Sequence, residues 1–260
     1  MSGELVQLNK KGRIAEVVLN RADSRNAFSP EMIQSIQDAF VEISNDKSVS
    51  VAVFKGAGPS FCAGADLNYM QSMAKFKFED NLKDAERLFD MFNAVYNCAV
   101  PVIGKIHGHA MGGGVGLVSV CDFSAAQRDT KFAFSEVRLG IAPAVISPFI
   151  ARKLGTLGNQ EVMLTGEMFG ADRAFELQLI NFVGSDDEVE DYVLGKAELI
   201  ASNGPCAVRE TKGLMRLTQG EISAGIKAAV TNQIANLRSS PEGQEGLKAF
   251  LEKRKPNWTN

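Results

Sequence analysis

Three consecutive glycines, Gly112, Gly113 and Gly114, constrain this chain more than any other feature. They lie in the run Gly108-His109-Ala110-Met111-Gly112-Gly113-Gly114-Val115-Gly116, between an apolar stretch at Val102 to Ile106 and an apolar helix expected over Leu117 to Cys121. Each glycine in a helical turn costs up to about 1 kcal/mol relative to alanine. Three together make sense only where something must come very close to that backbone. A helix start without side chains leaves N–H groups free to receive an anion or an oxyanion.

The surrounding pattern is that of an α/β protein. Ile14 to Leu19, Val49 to Phe54 and Val102 to Ile106 read as strands. Between the first two, Ser29 is a good N-cap with Pro30 at the first helical position, and Met32, Ile33, Ile36, Phe40 and Ile43 recur on one face. This is a βαβ-type arrangement. A second long helix is expected from Asn81 to Asn97. Before it, Met70 to Lys83 is polar, Lys-rich and without a clean period, as in a flap over a site or a solvated helix start. From Asn159 onward the expected elements are helices: Glu161 to Leu164, Asp172 to Leu177, Glu188 to Ala201, Pro205 to Leu217, Glu221 to Leu237 and Pro241 to Lys253. The division expected is a core over residues 1–200 and a helical assembly region over 201–260.

Charge and composition narrow the partners. The formal net charge is −3 and no Lys/Arg block tracks a phosphodiester backbone, so no nucleic-acid partner is expected. No stretch of about 18 apolar residues occurs, and Met1 to Leu8 lacks a basic region followed by an apolar run. The expected setting is cytoplasmic, with no membrane partner. Cys62, Cys98, Cys121 and Cys206 form no CxxC pair and no zinc spacing, so neither a metal nor a disulfide is expected.

A second backbone-rich run, Phe61-Cys62-Ala63-Gly64-Ala65-Asp66-Leu67, follows the turn Gly56-Ala57-Gly58-Pro59. Small residues there suit close ligand approach, although a tight strand-to-helix turn explains them equally well; Asp66 reads as the cap of the next helix. No G-x-G-x-x-G, G-x-x-x-x-G-K-[ST] or G-x-S-x-G occurs, which sets aside dinucleotide, P-loop and serine-hydrolase readings. Glu136 stands between apolar Phe134 and Val137, where burial raises a carboxyl towards a useful acid/base range. His107 and His109 have no acidic partner nearby in sequence and are read as structural.

The two glycine-bearing runs, followed by Phe134-Ser135-Glu136-Val137-Arg138-Leu139-Gly140-Ile141-Ala142-Pro143, resemble the crotonase (enoyl-CoA hydratase/isomerase) superfamily. The likeness extends from Asn20-Arg21 and Asn26-Ala27 to Ala249 through Lys255. It implies a spiral of ββα turns with C-terminal helices that build a homotrimer or a dimer of trimers. It also implies an acyl-CoA thioester substrate, with coenzyme A as part of the substrate and no separate cofactor. The N–H groups of Ala65 and Gly113 form the implied oxyanion hole, with Glu136 as acid/base. The implied CoA path runs past Ala27 and along Ala63, Gly64, Ala65, Asp66 and Leu67. Arg25 meets the phosphates or adenine, with Phe250 and Lys253 supplied by a neighbouring subunit.

Hydratases of the family use two carboxylates, and the first falls here on Gly116. A side chain at 116, one turn beyond Gly113, is expected to point at the acyl pocket, so the glycine reads as space for a branched, carboxylated chain. The wording at 112–117 and 136–149 is most similar to bacterial methylglutaconyl-CoA hydratases. The expected reaction is therefore interconversion of 3-methylglutaconyl-CoA and 3-hydroxy-3-methylglutaryl-CoA, in leucine degradation. The rivals are a general enoyl-CoA hydratase, a Δ3,Δ2-enoyl-CoA isomerase, a decarboxylase and a non-catalytic binding protein.

Overall fold

Residues 4–219 and 221–259 are described by a computed structural model. Its strands are β1 (Val6–Lys11), β2 (Ile14–Leu19), β3 (Val51–Gly56), β4 (Val102–Ile106), β5 (His109–Met111), β6 (Phe123–Gln127), β7 (Lys131–Ala133), β8 (Phe169–Gly170) and β9 (Phe182–Gly184). Six form one sheet in the order β1-β2-β3-β4-β6-β9, and three form another in the order β5-β7-β8. Only β1 pairs antiparallel in the large sheet; β2, β3, β4, β6 and β9 run parallel. The chain passes from the large sheet to the small one twice in the same sense, β4 to β5 and β6 to β7. These passes are the turns of the expected spiral.

The helices are α1 (Pro30–Asn45), α2 (Leu67–Met73), α3 (Phe78–Tyr96), α4 (Gly113–Val120), α5 (Ser147–Lys153), α6 (Thr156–Thr165), α7 (Ala171–Glu176), α8 (Asp186–Ala201), α9 (Pro205–Leu217), α10 (Ala224–Ser239) and α11 (Pro241–Leu251). Ser29 does cap α1, accepting the Met32 N–H, and the predicted stripe from Met32 to Ile43 is its buried face. The rings of Phe40, Phe54 and Phe61 stack edge to face at 5.1 and 5.5 Å, tying α1 through β3 to the loop that opens the site.

Three local expectations need correction. The glycines do not precede the helix: α4 begins at Gly113, so they form its first turn. The segment Met70 to Lys83 contains the end of α2 and the start of α3. The second half is not purely helical, since β8 and β9 are too short to show a period-2 pattern.

Beyond residue 200 the chain is tethered at discrete points. Arg209 donates to the carbonyls of Ser44, Asp46 and Val49. Lys212 pairs with Asp122 at 2.5 Å and donates to the Val100 carbonyl at 2.8 Å. By contrast α10 has no buried residue and α11 buries only Ala249. Ile222, Leu247, Phe250 and Leu251 stand exposed on this part of the chain.

Candidate active site

The two predicted runs are held against each other backbone to backbone. The Met111 N–H donates to the Cys62 carbonyl at 3.0 Å, and the Cys62 N–H to the His109 carbonyl at 3.0 Å. A Cβ on Gly114 would lie 2.3 Å from the Cys62 carbonyl oxygen, and one on Gly64 2.7 Å from that of Met111. No side chain larger than hydrogen fits at either contact. Gly112 has φ +51°, ψ −118°, a conformation suited to glycine alone. The glycine run is therefore required by the approach of two loops as well as by any ligand.

This packing leaves two N–H groups aimed into a cavity. Phe28 takes the place of a short strand beside Ala65: its N–H donates to the Gly64 carbonyl and its carbonyl accepts from the Asp66 N–H. In such a parallel bridge the groups of the intervening residue point the other way. Gly113 is the first residue of α4, where an N–H has no partner within the helix. Neither the Ala65 nor the Gly113 N–H has an acceptor among the described residues. Both residues line a cavity of about 400 Å³.

Glu136 reaches the same cavity through the small sheet. Strand β7 pairs with β5, the Gly112 N–H donates to the Ala133 carbonyl at 2.8 Å, and three residues later Glu136 sits in a 3-10 turn over Ser135–Leu139. Its Oε1 lies 3.2 Å from where a Gly112 Cβ would stand. Its Oε2 is buried with no partner among the described residues. Burial pushes the Glu136 carboxyl above the ordinary glutamate range, its own backbone N–H pulling weakly the other way. The rest of the wall is mostly apolar: Met70 and Met73 from α2, Ala85 and Leu88 from α3, and the segment 141–146. Burial pushes the neighbouring Cys62 thiol up to about 12, which leaves no thiolate to act as a nucleophile.

Of the residues singled out in the sequence, Ala63, Gly64, Ala65, Gly113 and Glu136 meet at this cavity. Asp66 caps α2, accepting from the Asn68 N–H at 2.8 Å and pairing with Arg21 at 2.9 Å; Leu67 opens that helix. Ala27 is buried and does not line the cavity. Arg25 is exposed and accepts the Ala63 N–H with its carbonyl. Phe250 lies in the last turn of α11 and Lys253 two residues beyond it, and neither lines the cavity. His107 and His109 contact the Gly58 carbonyl and Ser60 and also stay outside it.

Gly116 is a correction. It does not border the cavity: a Cβ there would lie 2.6 Å from Ile146 Cγ2 and 2.8 Å from the Phe92 ring. The helix turns this position into packed core, so the missing carboxylate leaves no room for an acyl chain.

Sequence reasoning missed two contributors. Asn26, fully buried at φ +56°, donates to the Ala57 and Ser60 carbonyls at 2.8 Å and accepts from the Arg21 N–H, so it fixes the loop before the site. Asp84, also buried, lines the cavity in phase with the apolar face of α3, a placement visible only once that helix is known to start at Phe78.

A largely apolar chamber with two free N–H donors near a desolvated carboxyl is the equipment of an enzyme that forms an enolate, holding charge on a carbonyl oxygen while a proton moves at the adjacent carbon. Comparisons with known proteins give the family of the chain. A family model described as enoyl-CoA hydratase/isomerase matches residues 9–260, and the chain belongs to that family. It is 30% identical to a crotonyl-CoA hydratase of Syntrophomonas wolfei, over 99% of both chains. It is also 30% identical to a 2,3-dehydroadipyl-CoA hydratase of Escherichia coli, over 96% of this chain and 97% of that one. A crystal structure of an enoyl-CoA hydratase from Shewanella pealeana superposes with a TM-score of 0.93 at 36% identity, covering 98% of this chain and 96% of that one.

Proposed function

We propose that this chain adds water to, or removes it from, a CoA thioester of 3-methylglutaconate, interconverting it with 3-hydroxy-3-methylglutaryl-CoA. The observation that carries the reaction type is the unpartnered, desolvated Glu136 beside the free N–H groups of Ala65 and Gly113. The thioester oxygen accepts from the two N–H groups, charge builds on it as a water oxygen bonds Cβ, Glu136 delivers a proton to Cα, and the proton lost by the water restores the Glu136 carboxyl. One such donor is worth about 10²–10³ in rate.

The acyl identity rests on the wording of residues 112–117 and 136–149 and on the shape of the wall. Ala142, Pro143 and Ala144 put only short side chains on that side of the chamber, which leaves space for a methyl branch at Cβ. No Lys or Arg lines the chamber among the described residues, and the exposed Asn81 on its lining offers an amide that can donate to a terminal carboxylate. The E. coli relative's substrate name denotes a second carboxyl as well.

An acyl-CoA panel tests this. Methylglutaconyl-CoA should exceed crotonyl-CoA in kcat/KM by at least about tenfold. A preference for crotonyl-CoA refutes the acyl assignment, and turnover of a 3-enoyl-CoA without hydration supports the Δ3,Δ2-isomerase reading that a lone Glu136 also allows. For assembly we propose a homotrimer or a dimer of trimers. The exposed Ile222, Leu247, Phe250 and Leu251 support it, and sedimentation equilibrium tests it.

A further inference from the structure

Two carboxyl-bearing residues, not one, line the acyl chamber: Asp84 of α3 as well as Glu136. Asp84 is 8% exposed and shares a helix face with the buried Met91, Phe92 and Val95. A carboxyl on such a face costs burial energy that an alanine there would not. Burial pushes its proton affinity up, and the charge of Arg87 opposes this. The hydroxyl of Tyr69, itself 8% exposed, donates to Asp84 Oδ1. Tyr69 is placed by the first turn of α2, where its N–H donates to the Asp66 cap at 3.3 Å. Asp84 is thus built in and oriented.

Adding water across a double bond requires two proton transfers at different atoms: one from the water oxygen as it bonds Cβ, one to Cα. A single carboxyl must do both in turn. We propose that Asp84, oriented by Tyr69, is a second catalytic group that takes the proton of the attacking water while Glu136 protonates Cα. This rests on the hydratase reading above. In the hydration direction the water oxygen bonds Cβ and its proton passes to the Asp84 carboxylate. The π pair of the double bond moves to Cα and into the thioester oxygen, held by the Ala65 and Gly113 N–H groups. That pair then returns to take the Glu136 proton at Cα. Glu136 ends ionised and Asp84 protonated, and one proton relayed through water resets them. Both carboxyls are desolvated, and they differ in their partners: Asp84 has the Tyr69 hydroxyl and the charge of Arg87 to favour its ionised form, whereas Glu136 Oε2 has no donor among the described residues. Tyr69 is a positioning residue.

The test uses Asp84→Asn and Tyr69→Phe with crotonyl-CoA, whose uncharged acyl group prevents loss of the Asp84 charge from being mistaken for relief of repulsion. Hydration is measured beside exchange of the α-protons of butyryl-CoA in D₂O, followed by NMR, which requires only Glu136 and the N–H pair. Asp84→Asn should lower kcat for hydration by about a hundredfold or more while α-proton exchange stays within about threefold of wild type. Tyr69→Phe should lower hydration kcat by a smaller factor with KM unchanged. Hydration by Asp84→Asn above about a third of wild type, a change confined to KM, or parallel loss of both reactions overturns the proposal. Glu136→Gln abolishing neither reaction overturns the hydratase reading instead.

Discussion

Replacing Gly116 by alanine should destabilise the protein and slow it, although the residue touches no substrate. The new methyl would stand 2.6 Å from Ile146 Cγ2 and 2.8 Å from two atoms of the Phe92 ring. Ordinary carbon contacts need about 3.5–4.0 Å, so the neighbours must yield by roughly 1 Å. Phe92 is fully buried and packs edge to face on Phe28, with ring centres 6.3 Å apart, and at 6.1 Å on Phe149. Phe28 in turn fills the space against Gly113, where a Cβ would lie 2.5 Å from its ring. The push therefore reaches the N–H pair. Overpacking of this kind costs about 1–3 kcal/mol, offset by about 1 kcal/mol of helix propensity, for a net loss of up to about 2 kcal/mol. A shift at the N–H pair should lower kcat by about tenfold or more. Urea unfolding and steady-state hydration measure both. Gly116→Glu should fare worse and should not raise crotonyl-CoA hydration, because its carboxylate enters packed apolar wall. Wild-type stability and kcat in Gly116→Ala, or a gain of hydration in Gly116→Glu, would refute the reasoning.

Two further outcomes follow from the site's supports. Asn26→Ala strands the Ala57 and Ser60 carbonyls and the Arg21 N–H, and should cost about 2–4 kcal/mol by urea unfolding. Glu136 holds its proton more tightly when folded than unfolded, so its contribution to stability is fully present below the ordinary glutamate range and is lost as pH rises through its elevated value. Glu136→Gln should therefore be more stable than wild type at neutral pH, with the difference shrinking as pH falls to the ordinary carboxyl range and below. A difference independent of pH, read from unfolding curves at several pH values, counts against this.

The sequence carried those parts of the fold whose periods are long and whose caps are chemical. Ser29-Pro30 and the stripe from Met32 to Ile43 located α1, and Pro205 located the start of α9. The three-residue strands β5, β7 and β9 were illegible because so short a run shows no period, yet β5 and β7 together deliver Glu136. The backbone contributors to the site were legible as glycines and small residues. What could not be read was direction: whether position 116 faces the chamber or the core depends on where α4 begins, and the helix starts four residues earlier than expected. Asp84 was hidden in the same way, since a charged residue reads as surface until its helix is phased.

The measurement closest to the central claim is the turnover of Glu136→Gln on a saturating enoyl-CoA, with the CoA-ester Kd determined in parallel by calorimetry. The amide keeps the size of the side chain and its place beside Gly112 but cannot hold and deliver the proton. A fall in kcat of about 10³ with Kd within about threefold of wild type is the predicted result. A kcat above about a tenth of wild type would remove Glu136 from the chemistry and contradict the account.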